Sequence, residues 1–317
     1  AMSDASVFVG IDVSKDNLDV AVKPGNESFA VPNTSKGHDE LCKRLRPFKP
    51  KLLVVEATGG MELDAVIALC DAGIVVAIVN PRHVRDFAKA CGQLAKTDCI
   101  DAAILADFAD KIRPEPRPMP SEETRALDAL ITRRRQLVDM LAVEKNRLTT
   151  ARKAMKKDIL RHLAFLEKAI GQMDNDLQKS VEDSPIWRVN DDILQSVPGV
   201  GPTCATTLMA QLPELGMLDR KKIAALVGVA PLNRDSGYKT GRRIIWGGRA
   251  PVRAVLYMST LVATRHNPVI RTHYEHLINQ GKLRKVAMTA CMRKLLTLLN
   301  AMIRDQSRWQ PEMAMPK

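Results

Sequence analysis

The sequence predicts an α/β domain followed by a mainly helical remainder, and three observations predict it. The first third alternates short apolar runs with amphipathic stretches. A proline-rich segment, RPEPRPMP at 113–120, then breaks the pattern. Beyond it, apolar residues recur at the three-and-four spacing of helices.

Taken in order, SVFVGIDV (6–13) and LDVAVK (18–23) read as strands joined by the turn SKDN, with ESFAV (27–31) as a third strand of the same meander. GHDELCKRLR (37–46) is a short amphipathic helix, and KLLVVEA (51–57) a buried strand ending at Glu56. GMELDAVIALCDAG (60–73) reads as a helix stopped by Gly73, and IVVAIV (74–79) as another buried strand. NPRHVRDFAKACG (80–92) opens a helix with Asn and then Pro, a good cap and first-turn pair. KTDCIDAAILADFA (96–109) opens another with Asp98 and Asp101. Three hairpin-linked strands followed by alternating helices and strands are the order of an RNase H-like (RuvC-like) domain, placed at 1–115.

Residues 122–183 contain no proline and one glycine, and Leu127, Leu130, Ile131, Leu137, Val138 and Leu141 lie at helical spacing. One or two long helices follow, as an antiparallel hairpin breaking near residue 157. The segment 121–185 is either a spacer or a dimerising coiled coil. The last region, 190–310, opens with LQSVPGVGPTCATTLMAQL (194–212), whose tight turn between short helices resembles a helix-hairpin-helix. The backbone amides of such a turn can hold a phosphate. A polar loop, LNRDSGYKTGRRIIWGGR (232–249), precedes further helices from about 250 to 306.

With 45% hydrophobic and 26% charged residues in 317, the composition is that of a globular chain with two or three cores. No run of about 18 apolar residues is present to span a membrane, and no secretory signal is visible. Six scattered cysteines without a CxxC pair argue against a zinc site or a disulfide framework. They fit reduced thiols in a cytoplasm.

The net charge of +12 is unevenly spread. Residues 1–115 carry 14 Lys and Arg against 17 Asp and Glu, whereas residues 191–317 carry 19 against 8. A basic C-terminal third beside an acidic N-terminal third suggests a polyanion gripped by one part and processed by the other.

Two acids in the first turn of a helix complement its dipole, but at a spacing of three they also repel. Asp12 interrupts an apolar strand, and Glu56 ends another. A buried carboxylate is costly unless paired or bound to metal. In an RNase H-like sheet the first and fourth strands are neighbours, which places Asp12 beside Glu56, with the Asp98–Asp101 helix across that edge. Four converging carboxylates call for a hard cation, Mg²⁺ or Mn²⁺. Two such ions clamp the attacking and leaving oxygens of a phosphodiester.

With those residues the chain resembles the DEDD-type transposases of bridge-RNA-guided elements, the insertion sequence 110 family, and the related pilin-inversion recombinases. VGIDVSKDNLDVAV, VVEATGG and KTDCIDAAILADFA resemble the family's three N-terminal motifs. LQSVPGVGPTCATTLMAQL and APLNRDSGYKTGRRIIWGGRAPVRAVLYMSTLVATRHNP resemble its C-terminal domain. The resemblance implies that Asp12, Glu56, Asp98 and Asp101 form a metal-binding tetrad and that Ser236, in RDSG, is a nucleophile toward DNA phosphate. It also implies donor and target DNA and a non-coding bridge RNA as partners, no membrane, and a homo-oligomer (dimer or tetramer) that assembles a composite site. Around Ser236, the residues Arg234, Lys239, Arg242, Arg243, Arg249 and Arg253 are candidates to hold phosphates bidentately or as point charges. The alternative is a RuvC-like, metal-dependent Holliday-junction endonuclease. It would share the carboxylates, hydrolyse with water, and need neither Ser236 nor a large basic domain. A sugar-kinase-like ATPase fits less well, because Val13, Ser14 and Lys15 follow Asp12 where a phosphate hairpin usually has Gly or Thr.

Overall fold

The computed structural model describes residues 6–25, 27–93, 98–116, 121–232 and 243–310, the side chains of 98–100 excepted. The chain divides into two units, 1–119 and 120–317. The division falls at the end of the proline-rich segment 113–120.

The first unit is a mixed α/β layer. Strands β1 (Phe8–Val13), β2 (Asn17–Lys23), β3 (Glu27–Pro32), β4 (Leu52–Glu56) and β5 (Val76–Val79) form one sheet in the order β3-β2-β1-β4-β5. The pairs β1–β2 and β2–β3 are antiparallel hairpins, while β1–β4 and β4–β5 are parallel. The first and fourth strands are therefore neighbours, as the sequence suggests. β1 is central and apolar on both faces, which is why FVGIDV reads as a continuous apolar run up to Asp12.

Helices α1 (Ser35–Leu45) and α2 (Leu63–Asp71) cover one face, burying Val9, Ile11, Leu53 and Val55 with Leu41 and Leu69. Helices α3 (Pro81–Ala90) and α4 (Asp98–Ile112) cover the other, burying Phe8, Leu52 and Val54 with Leu105 and Phe108. The caps follow the sequence signals: Thr34 accepts from the Gly37 amide and Asn80 from the Arg82 amide.

The second unit is helical. α5 (Glu122–Thr150) and α6 (Lys153–Asp183) form a hairpin whose cross pairs, Arg134–Asp174 and Lys145–Glu167, show the two helices to be antiparallel. The break falls at Ala151–Arg152, both extended, and not near residue 157. No Gly or Pro marks this boundary, and at it the hydroxyls of Thr149 and Thr150 bond back to the carbonyls of Asn146 and Arg147.

α7 (Pro185–Gln195), α8 (Pro202–Gln211), α9 (Arg220–Val227), α10 (Ala250–His266), α11 (Pro268–Asn279) and α12 (Arg284–Arg304) enclose the largest core. In the turn between α7 and α8, Gly199 sits at φ +103°, and a Cβ there would lie 2.7 Å from the Ala263 backbone nitrogen. That glycine serves close packing against α10. The hairpin belongs to the same unit: Leu127, Ile131, Leu177 and Val181 pack on Ala210 of α8. α12 is long and apolar enough to cross a membrane. Its apolar face, Cys291, Leu295, Leu296 and Leu299, is instead buried in the core of this unit.

Candidate active site

The site is built from the sheet outward. Side chains alternate along a strand, so Phe8, Gly10 and Asp12 share one face of β1, and Leu52, Val54 and Glu56 share one face of β4. Phe8, Leu52 and Val54 pack under α4, which fixes that face. The parallel register pairs Phe8 with Leu52 and Ile11 with Val55, so its next step sets Asp12 beside Glu56.

The direction of α4 decides where its two aspartates go. A Cβ on Gly10 would lie 2.3 Å from both the Ala102 carbonyl oxygen and the Ala106 nitrogen, so α4 crosses β1 in backbone contact. Further along α4, Asp107 pairs with Lys23, whose strand partner is Phe8 at the start of β1. The Arg113 guanidinium carbon lies over the Phe8 ring, 5.4 Å from its centroid. The helix therefore runs antiparallel to β1, and its first turn, Asp98 to Asp101, lies toward the end of β1 and β4 that carries Asp12 and Glu56. Asp12, Glu56 and Asp101 are half-buried. The Asp98 side chain lies outside the described residues.

Sequence reasoning missed a fifth acid. Asp19 is the antiparallel partner of Asp12 and shares its face, because Ala21 and Lys23 of the same strand meet α4. Its signal was the period of two from Ala21 and Lys23. Among the described residues, no three His, Cys, Asp or Glu side chains stand together as a metal-holding group. A group that includes the Asp98 side chain is not covered by that statement. The donor types, carboxylate oxygens throughout, and their backbone placement fit a hard divalent cation.

The loops that follow Asp12 and Glu56 are tied together by residues the sequence did not single out. The Asn33 amide donates to the Ser14 carbonyl (3.0 Å) and to the Met61 carbonyl (3.3 Å). Buried His38 meets the Asn33 carbonyl oxygen at 2.8 Å and holds the amide in that orientation. Glu62, also buried, accepts from the Thr58 amide and hydroxyl and from the Gly60 amide. It closes the loop beyond Glu56. These contacts are long-range or turn-specific and leave no periodic mark in the sequence.

Ser236, Arg234, Lys239 and Arg242 lie outside the described residues. The ends of their loop are defined, because Leu232 and Ile244 form an antiparallel bridge. Of the remaining expected phosphate ligands, Arg249 is engaged within the helical unit. Its guanidinium makes two bonds to the Glu214 carboxylate, at 2.5 and 2.6 Å, and one to the Gln211 carbonyl at 2.8 Å. Arg253 donates to the Val227 and Gly247 carbonyls and staples a contact where Gly228 and Gly248 meet backbone to backbone. Arg243 lines an open groove with other cations.

Two family models match. A transposase model of the IS110 DEDD type spans residues 9–154, and a model described as the transposase IS116/IS110/IS902 family spans 191–275. The pilin gene-inverting proteins of Moraxella lacunata and Moraxella bovis are each 26% identical over 314 residues, 95% of this chain and 97% of theirs. An uncharacterized 44.8 kDa protein of insertion element IS116 from Streptomyces clavuligerus is 28% identical over 166 residues, 49% of this chain and 38% of that protein. Both family models name the same transposases, and together they take in more than two thirds of the sequence; the chain belongs to the IS110 family of DNA transposases and recombinases.

Proposed function

We propose that this transposase is a bridge-RNA-guided recombinase that cleaves and rejoins donor and target DNA, working as a homo-oligomer. In this reading the α/β unit is an RNase H-like domain in which Asp12, Glu56, Asp98 and Asp101 hold Mg²⁺ or Mn²⁺. The observation that carries it is the antiparallel seating of α4 on β1, which directs the Asp98–Asp101 turn toward the strand ends bearing Asp12 and Glu56. Half-buried carboxylates of like sign raise one another's proton affinity unless a cation offsets the repulsion. A bound divalent ion would supply charge stabilisation for the phosphodiester transition state.

Ser236 is the proposed nucleophile. Its Oγ attacks a DNA phosphorus, one backbone P–O bond breaks as the Oγ–P bond forms, and the departing sugar oxygen takes up a proton. The phosphoserine ester keeps the bond energy for the reverse attack that rejoins a strand. A serine hydroxyl needs a base or a cation close by to lose its proton.

The test is a denaturing gel of full-length protein with labelled DNA and guide RNA in Mg²⁺. The wild type gives a shifted covalent band, Ser236→Ala gives none while still binding, and Glu56→Ala or EDTA abolishes cleavage. Nicking by Ser236→Ala without an adduct would favour water as the nucleophile and overturn the serine; undiminished recombination in EDTA would overturn the metal site.

A further inference from the structure

The helical unit contains a groove of about 1090 Å³ whose cations, Arg243 apart, have so far been given no role. One wall is a stripe of α12: Lys285, Val286, Thr289, Arg293, Lys294 and Thr297 follow one another at helical spacing. Across it lie Val229, Pro231 and the segment 243–245, and Arg220 and Lys282 extend the basic lining. Six Lys and Arg side chains face the groove, and no Asp or Glu is among its lining residues. Arg249, Arg304 and Arg308 in the same unit all have carboxylate partners, whereas none of the six makes a salt bridge among the described residues.

Six cations around one concavity, without a salt bridge among the described residues, repel one another, an arrangement that costs stability until a polyanion fills it. Between the cations the floor is apolar, with Ile244, Leu283 and Val286 between 36% and 64% exposed. Along α12 the stripe from Val286 to Thr297 runs about 16 Å, the axial rise of about four or five base pairs of duplex at about 3.4 Å each.

We propose that this groove is a DNA-backbone site, with Arg220, Arg243, Lys282, Lys285, Arg293 and Lys294 contacting successive phosphates of one strand. The Leu232–Ile244 bridge lies at its margin, so a strand held there passes the residues that flank the Ser236 segment in sequence. The site itself follows from charge and shape, and it stands whether or not Ser236 is the nucleophile.

The experiment compares full-length wild type with Lys282→Gln/Lys285→Gln/Arg293→Gln, using fluorescence anisotropy on a labelled 30-base-pair DNA, in EDTA so that cleavage plays no part. A control, Lys156→Gln/Lys168→Gln/Lys179→Gln, removes the same charge from exposed positions of α6. The groove variant should lose at least tenfold in DNA affinity at 150 mM salt, and its log–log salt slope should shrink by about 3, one unit per lost phosphate contact. The control should change the slope by less than 1. Equal losses in the two variants would overturn the proposal. So would a groove variant that loses affinity for a labelled RNA of the same length and keeps it for DNA. Matching melting curves for the three proteins keep the comparison to binding.

Discussion

At the residue scale, Gly10 decides whether the candidate site can form. It has an ordinary strand conformation, so its requirement is space: the α4 backbone occupies the volume a methyl group would take, at 2.3 Å. Gly10→Ala must push α4 away from β1, and backbone atoms do not yield as a side-chain end does. Overpacking of this kind costs about 3 kcal/mol. For a unit of this size that is a fall in melting temperature of about 10 °C. DNA cleavage should fall more steeply than the folded fraction, because the displaced helix carries Asp98 and Asp101. Unchanged melting and cleavage in calorimetry and gel assays would show that α4 does not seat where its contacts place it. The sequence displayed Gly10 and Asp12 two residues apart, and the cost of a charge inside an apolar strand made Asp12 legible. Gly10 was not, because its neighbour lies more than 90 positions away.

At the element scale, legibility tracked the range of the interaction. Strand and helix identities follow from periods of two and 3.6 and from caps such as Asn80, all local. The end of α5 at Thr150 has no Gly or Pro to mark it and is a boundary that no period reveals. The engagement of Arg249 depends on Glu214, 35 residues earlier, and their ion pair ties the segment after α8 to the start of α10. The helices also set the chemistry of the thiols. Burial in α8 and α12 pushes Cys204 and Cys291 up to about 11, while Cys91, at the end of α3, is exposed. Thiolate is the reactive form. At pH 8 an aromatic disulfide reagent should modify Cys91 within minutes and reach Cys204 and Cys291 only as their helices open. Peptide mapping that found all three labelled at one rate would refute the packing of α8 and α12 described above.

At the scale of the whole chain, the boundary between the two units also separates charge of opposite sign. Residues 1–119 carry 15 Lys and Arg against 17 Asp and Glu, and residues 120–317 carry 33 against 19. From charge alone, a cut near residue 191 would isolate the basic part. The cores argue otherwise: such a cut would strip Leu127, Ile131, Leu177 and Val181 from Ala210 and Met209 and expose an apolar patch on α8. The basic fragment that folds should therefore be 120–317. Released counterions dominate non-specific binding, so that fragment should keep most of the affinity of the intact chain for random DNA, with a steep fall in log K as salt rises. The fragment 1–119, with a small negative net charge, should bind DNA weakly at every salt concentration. Titrating both fragments and the intact protein between 50 and 300 mM salt decides the matter. Equal affinity in the two fragments, or a flat salt response in 120–317, would show that the basic excess of the helical unit is a solvated surface with no part in holding DNA.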